Sequence, residues 1–238
     1  MIRLGVTGTD TGVGKTVVTC AIARAMVRRR LSVAVMKPIE TGVAFDDPTR
    51  DGVRLAVAAS HEHLLKTTAP VVLRDPVAPL VASRRMGVSL DFGALDDAME
   101  AAAVGRDVLI VEGAGGLLVP ITETATYATL FHRWSLGVVI VAANKLGVIN
   151  HTRLTCAACR GAGLPVRAIV MNQPRRVEPD DVSIGDNASI IAELEMLPVI
   201  ELPWLIDPFD VDRAASEVER VGLLDLLTDA DEPAITTV

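Results

Sequence analysis

Short apolar segments alternate with longer amphipathic segments along most of the chain. The apolar segments are too short for helices and are rich in Val, Ile and Leu, so they predict buried β-strands. The predicted strands are residues 3–7, 32–37, 107–112, 137–142, 166–171 and 199–202. The predicted helices are residues 15–30, 49–60, 92–104, 127–134, 150–162, 189–195 and 211–227. This alternation predicts an α/β fold with a mostly parallel central sheet and helices on both faces.

Two segments depart from the alternation. Residues 67–87 contain three prolines, which predicts that this is the least regular part of the core region and that it carries a loop on the substrate side of the sheet. Residues 229–238 are mostly polar or small and are expected to fray. Because 238 residues suit a single α/β core, we expect one domain over residues 1–228, followed by a flexible tail.

Composition argues against two classes of function. The chain has 30 acidic and 23 basic residues, a net charge of −7 and only 3% aromatic residues, whereas a general nucleic-acid binder needs a basic surface and aromatic stacking platforms. No apolar run approaches the roughly 20 residues that a membrane helix needs, and the apolar start at residues 1–6 is too short for a signal peptide. We therefore expect no nucleic-acid partner, no membrane partner and a cytoplasmic location.

A glycine-rich segment, G-T-D-T-G-V-G-K-T at residues 8–16, lies between the first predicted strand and the first predicted helix. Strand, glycine-rich loop and helix is the context in which backbone N–H groups and a helix N-terminus bind a polyphosphate. Lys15 would reach the β- and γ-phosphate oxygens, and Thr16 would hold Mg²⁺. The spacing departs from the usual motif, because Thr9 stands where its first glycine is expected. The segment predicts a P-loop and an ATP-like ligand.

Three further charged residues follow predicted strands or open a predicted helix. Lys37 and Glu112 end the second and third predicted strands, at the sheet edge where open α/β proteins bind ligands. Lys37 and Lys15 are therefore expected to face the γ-phosphate, and Glu112 is expected to be a metal-binding acid. Asp51 is a candidate second metal ligand, although helix capping alone would also explain an Asp there.

Five motifs in order along the chain resemble those of the dethiobiotin synthetase family. They are V-T-G-T-D-T-G-V-G-K-T at 6–16, K-P-I-E-T-G at 37–42, V-E-G-A-G-G at 111–116, K-L-G-V-I-N-H-T at 145–152 and E-L-P-W-L at 201–205. The resemblance implies a seven-stranded P-loop sheet and a homodimer whose subunits complete each other's active sites. It also implies the penultimate step of biotin synthesis, in which 7,8-diaminononanoate, CO₂ and ATP give dethiobiotin, ADP and phosphate with Mg²⁺ present.

The resemblance further implies roles for residues at matching positions. The implied catalytic residues are Lys37, Lys15 and Thr11. The implied ATP-binding residues are Gly12, Val13, Gly14, Lys15, Thr16, Val17, Asp51, Glu112, Gly113, Ala114 and Gly115, with Asn172, Gln173, Glu201, Leu202 and Pro203 at the adenine. The implied metal ligands are Thr16, Asp51 and Glu112. The implied substrate-binding residues are Thr41, Gly147, Val148 and Asn150. The chain departs from other members at Gly12, Val148 and Gln173.

Two other readings of the P-loop remain. A partitioning or targeting ATPase would carry a second lysine where Asp10 stands, and it would often have a basic or amphipathic surface element. A ligase of the cobyrinate synthase type would need a glutaminase domain with a nucleophilic Cys, and we expect no room for one in the last 30 residues. Both therefore rank below the dethiobiotin synthetase reading.

Overall fold

The computed structural model describes residues 1–61, 65–176 and 181–229. The strands are β1 Ile2–Gly8, β2 Val33–Met36, β3 Ile39–Thr41, β4 Val71–Leu73, β5 Val108–Gly116, β6 Gly137–Ala143, β7 Val166–Asn172 and β8 Val199–Leu202. The helices are α1 Lys15–Arg28, α2 Asp51–Ala58, α3 Leu65–Thr68, α4 Pro79–Met86, α5 Phe92–Ala103, α6 Tyr127–Arg133, α7 Val148–Gly161, α8 Asn187–Glu195, α9 Val211–Arg220 and α10 Leu223–Thr228. The predicted α/β fold is confirmed.

The main sheet has the strand order β2-β5-β1-β6-β7-β8, and all its pairings are parallel. Successive side chains of β5 enter opposite cores: Val108 and Ile110 belong to the core that includes α1 and α9, whereas Leu109 and Val111 belong to the core that includes α5 and α6. Burial on both faces explains why the strands are continuous apolar runs rather than alternating ones. The order also places β5 between β1 and β2, which brings the ends of these three strands together.

The expectation of a seven-stranded sheet is wrong for the described residues, whose main sheet has six strands, while β3 and β4 form a separate parallel pair. Pro38 accounts for this separation, since it has no N–H with which to continue the ladder after β2. At the same point the backbone N–H of Lys37 turns to the carbonyl of Thr68, at 2.6 Å. The chain therefore leaves the main sheet directly after Lys37.

Residues 67–87 are more regular than predicted, because they contain β4 and α4, and the predicted loop is confined to the residues between these two elements. Pro79 is the first residue of α4, where a fixed φ favours the helix and no N–H is needed. Gly87, with φ +65°, ends the same helix in the left-handed region. These residues begin and end a helix, whereas their spacing alone predicts a loop.

Two predicted helices have different limits in the structure. The predicted helix over residues 211–227 is divided into α9 and α10 by Gly222, whose φ is +74°. The predicted helix over residues 150–162 begins earlier, at Val148, because Gly147 precedes it with φ +89°.

Among the described residues, no helix is both long and apolar enough to cross a bilayer. Apart from Asp229, the tail expected at 229–238 lies outside the described residues, so that expectation is untested.

Candidate active site

A cavity of about 720 Å³, here called the phosphate cavity, opens where β1, β2 and β5 end. The predicted site residues that line it are Thr11, Gly12, Gly14, Lys15, Thr16, Val17, Lys37, Thr41, Asp51, Ala114 and Gly115. Glu112 lies behind this wall and is fully buried. The sheet order therefore brings together the predicted phosphate, metal and lysine groups, although they come from distant parts of the sequence.

The P-loop conformation depends on glycine at two positions. Gly12 and Gly14 have φ of +75° and +96°, in the left-handed region that other residues disfavour. A Cβ at Gly14 would lie 2.1 Å from the side-chain nitrogen of Asn172, so this position also lacks space. Lys15 is buried and its Nζ donates a hydrogen bond to the carbonyl of Asp10, at 3.2 Å. Burial lowers the pKa of Lys15 from its usual value, with the charges of Glu112 and Lys37 acting in opposite directions.

Glu112, Lys37 and Asp51 form one continuous charge network. Lys37 Nζ donates to Glu112 Oε1 at 2.7 Å and to Asp51 Oδ2 at 2.5 Å. The hydroxyl of Thr16 donates to the same Glu112 Oε1, at 2.8 Å. Burial lowers the pKa of Lys37, but the two carboxylates outweigh burial and place this pKa above its usual value. Lys37 is therefore held as a cation beside the P-loop.

The donor set fits a magnesium ion. Glu112 Oε2 is buried and has no hydrogen-bond partner among the described residues, so an oxygen ligand of the kind that Mg²⁺ prefers is left without a contact. Thr16 and Asp51 present further oxygens at the cavity wall. In the described ranges, no group of three or more His, Cys, Asp or Glu side chains is placed so that it could hold a metal ion. Two carboxylates and a hydroxyl suffice, because nucleotide-bound Mg²⁺ takes its remaining ligands from phosphate and water.

Residues predicted to bind adenine come together beside the P-loop. Asn172 ends β7, opposite Leu202 of β8, and the backbone N–H of Gln173 donates to the carbonyl of Leu202, at 3.2 Å. Glu201 and Pro203 are exposed on either side of Leu202. The side-chain nitrogen of Asn172 donates to the carbonyl of Val13, at 2.9 Å. Asn172 is thus hydrogen-bonded to the backbone of the P-loop, a role that its sequence position does not reveal.

The other predicted substrate residues lie elsewhere. A second cavity of about 610 Å³, here called the α7 cavity, is lined by Leu146, Gly147, Asn150, Arg153 and Glu195 among others. None of the predicted residues Gly147, Val148 and Asn150 lines the phosphate cavity, and Val148 is buried. The structure of one chain therefore separates these residues from Thr41.

Among the residues of the phosphate cavity that sequence reasoning missed are two that are both charged and buried. Glu40 and Arg50 line it and are both buried, with exposures of 2% and 3%. Arg50 Nη1 donates to Glu40 Oε2 at 2.7 Å. The available signal was local, because Glu40 lies within the K-P-I-E-T-G motif and Arg50 directly precedes Asp51.

Of the predicted nucleotide residues, Val13 and Gly113 are buried and do not line the cavity.

Comparison with known proteins identifies close relatives over most of the chain. A family model described as an AAA domain matches residues 3–207. The ATP-dependent dethiobiotin synthetase BioD of Anaeromyxobacter sp. (strain Fw109-5) is 45% identical over 194 residues, which are 82% of this chain and 86% of that relative. The enzyme of the same name from Aquifex aeolicus (strain VF5) is 36% identical over 227 residues, 94% of this chain and 96% of that relative.

A solved structure supports the fold. A DUF1611 family protein from Anabaena variabilis ATCC 29413 has a TM-score of 0.53 and 18% sequence identity, over 95% of this chain and 57% of that one. At this identity the likeness supports the fold alone. The family model includes both the P-loop and the Lys37 motif, and the matches to the two relatives cover 82% and 94% of the chain. The chain therefore belongs to the dethiobiotin synthetase family.

Proposed function

We propose that this chain catalyses ATP- and Mg²⁺-dependent ring closure of 7,8-diaminononanoate with CO₂, giving dethiobiotin, ADP and phosphate. The observation that carries the proposal is the network of Lys37, Glu112 and Asp51 at the mouth of the P-loop. It combines a fixed cation with one buried and one half-buried carboxylate, as a phosphoryl transfer to an anionic acceptor requires. The membership of the family supplies the substrate class.

The chemistry needs no protein nucleophile. One amine of the substrate adds to CO₂ and loses a proton, which gives a carbamate. A carbamate oxygen then attacks the γ-phosphorus, the bond to the β-phosphate oxygen breaks, and ADP leaves. The second amine attacks the activated carbonyl carbon and loses a proton to the departing phosphate or to water, and phosphate leaves as the ureido ring closes. The protein contributes by holding these groups in line and stabilising the negative charge that develops.

The lysines supply the positive charge. Lys37 is buried and held by two carboxylates, so its position is fixed before substrate arrives. Lys15 donates to the carbonyl of Asp10 and exchanges this contact for phosphate oxygens when ATP binds. Thr11 lines the same cavity and lies near Gly115, since a Cβ at Gly115 would be 3.5 Å from the hydroxyl oxygen of Thr11. We assign this hydroxyl to the phosphate end of the cavity, together with the two lysines. Bound Mg²⁺ would neutralise phosphate charge, with Thr16, Asp51 and Glu112 as its protein ligands.

The remainder of the phosphate cavity suits a diamine with an aliphatic chain. Val77, Pro79 and Val119 give one wall an apolar surface. Thr41 is the last residue of β3 and lines the same cavity, to which it adds a hydroxyl group. Apolar walls with a few polar groups are typical of sites that bind small organic substrates. We assign this region to the reacting end of 7,8-diaminononanoate and part of its chain.

The distant carboxylate of the substrate is assigned to a second subunit. Gly147 and Asn150 lie at the start of α7, where backbone N–H groups point outward and favour an anion. Since these residues are outside the phosphate cavity of their own chain, a homodimer with shared sites is the arrangement that uses both regions.

We also assign the chain to the cytoplasm, where free cysteines such as Cys20, Cys156 and Cys159 are usual.

The test is direct measurement of dethiobiotin. Purified protein is incubated with ATP, Mg²⁺, bicarbonate and 7,8-diaminononanoate, and dethiobiotin and ADP are quantified together. We expect equal amounts of both products and none when any component is left out. ADP release that does not depend on the diamine, with no dethiobiotin formed, would refute the proposal and favour a nucleotide-dependent switch.

A further inference from the structure

A buried ion pair lies directly behind the cluster that holds Asp51. Glu40 of β3 and Arg50, the residue before α2, join at 2.7 Å with almost no solvent exposure. Breaking such a pair is costly, yet an apolar pair of similar volume would often be equally stable. Stability alone therefore does not account for charges at this position.

Glu40 also acts as the missing cap of α2. The N-cap residue of this helix is Arg50, whose side chain caps nothing. Instead, Glu40 Oε1 accepts the backbone N–H of Gly52, at 3.2 Å. One carboxylate thus contacts the residues on both sides of Asp51. The backbone position of Asp51 is fixed from β3, the strand that follows Lys37 and Pro38.

Arg50 extends this contact to the loop before α2. Its Nε donates to the carbonyl of Phe45, at 3.1 Å, and its guanidinium lies 5.3 Å from the centre of the Phe45 ring. The cation–π contact and the hydrogen bond hold the arginine in one orientation. The ion pair is therefore anchored at both ends.

Gly52 packs closely against the ion pair. A Cβ at Gly52 would lie 2.7 Å from Arg50 Nη1, 3.1 Å from Glu40 Oε2 and 2.7 Å from the Cβ of Ala69. An alanine at this position would have to displace the ion pair or the helix. Gly52 therefore provides a way to disturb the pair without removing either charge.

We propose that Glu40 and Arg50 are positioning residues that hold the Asp51 carboxylate against Lys37, and so set the metal affinity and the rate of phosphoryl transfer. This proposal rests on the proposed function for its reaction, but the metal affinity can be measured without that reaction. Glu40 acts through Asp51 and not by contact with the diamine. A shift of about 1 Å in such a group can reduce turnover on the order of 100-fold.

The first experiment compares Glu40→Gln with a matched control. Asp96→Asn is the control, because Asp96 also accepts bonds from one guanidinium, that of Arg133, and one N–H, that of Trp134, outside both cavities. Binding of a non-hydrolysable ATP analogue is measured by calorimetry as a function of Mg²⁺ concentration. We expect Glu40→Gln to raise the Mg²⁺ concentration for half-maximal binding at least about 5-fold, while Asp96→Asn leaves it within about 2-fold. An unchanged Mg²⁺ requirement in Glu40→Gln would overturn the proposal.

Turnover separates positioning from direct substrate contact. We expect Glu40→Gln to lower kcat on the order of 10-fold or more, with the KM for the diamine within about 2-fold of the original protein. A raised KM for the diamine with unchanged kcat would overturn the proposal and make Glu40 a substrate ligand. If the unaltered protein forms no dethiobiotin, the proposed function fails, whereas the calorimetric comparison still tests the positioning role.

Gly52→Ala and Arg50→Lys keep the test decisive if Glu40→Gln does not fold. Gly52→Ala retains both charges but displaces them, so we expect the same rise in Mg²⁺ requirement. Arg50→Lys keeps the charge but loses the planar fork, so we expect a smaller rise. Folded Gly52→Ala protein, verified by thermal unfolding, with an unchanged Mg²⁺ requirement and kcat would overturn the proposal.

Discussion

The phosphate cavity and the α7 cavity differ in how far one chain completes them. In the phosphate cavity, Lys37 has two buried or half-buried carboxylate partners, and glycines shape the P-loop. In the α7 cavity, Leu146 is 82% exposed, and Arg153 and Arg160 are both paired with Glu195. The first region is organised for charge stabilisation by its own chain. The second is an open surface beside a helix start, which a second chain would cover in the proposed homodimer.

The largest effect is expected when the phosphate cavity loses its fixed cation. Lys37→Ala removes the charge aimed at the reacting oxygens, so kcat should fall on the order of 100-fold or more, measured as dethiobiotin formed per minute. The same change leaves Glu112 buried without its cation, which should lower the free energy of unfolding by about 3–5 kcal/mol. Assays therefore run below the unfolding temperature of the variant. Turnover equal to that of the unaltered protein would exclude Lys37 from the chemistry.

A smaller effect is expected when the proposed metal ligand Glu112 is neutralised. Glu112→Gln replaces a carboxylate oxygen by an amide oxygen, a weaker ligand for a hard dication. We expect the Mg²⁺ concentration for half-maximal activity to rise on the order of 10-fold, as measured by titration at saturating ATP. Asp96→Asn is again the control. Overlapping Mg²⁺ curves for Glu112→Gln and the original protein would make Glu112 a structural partner of Lys37 alone.

The smallest effect is expected in the α7 cavity. Asn150→Ala removes a donor far from the transferred phosphoryl group, so the KM for the diamine should rise several-fold while the KM for ATP stays within about 2-fold. The exposed neighbour His151 supplies the control, His151→Ala, which should change neither value. Equal increases in both KM values for Asn150→Ala would indicate a general disturbance of the fold.

Local sequence signals predicted the phosphate cavity well. The P-loop is a continuous motif, and Lys37 and Glu112 end apolar runs that are recognisable as strands. The contact between Glu40 and the start of α2 could not be predicted, because it depends on how β3 leaves the sheet after Pro38. The helix α4 was missed because Pro79 was interpreted as a breaker, although proline favours the first position of a helix.

The division of one site between two chains is tested most directly by mixing variants. Lys37→Ala and Asn150→Ala proteins are mixed, allowed to exchange subunits and assayed at a diamine concentration below the KM of Asn150→Ala. In a shared-site heterodimer, one site has both defects and the other has neither. We predict that the mixture forms dethiobiotin faster than the mean of the rates that the two variants show separately. A rate no higher than the mean of the two separate rates, with subunit exchange verified by mass spectrometry, would contradict the account, since each chain would then bind its substrate alone.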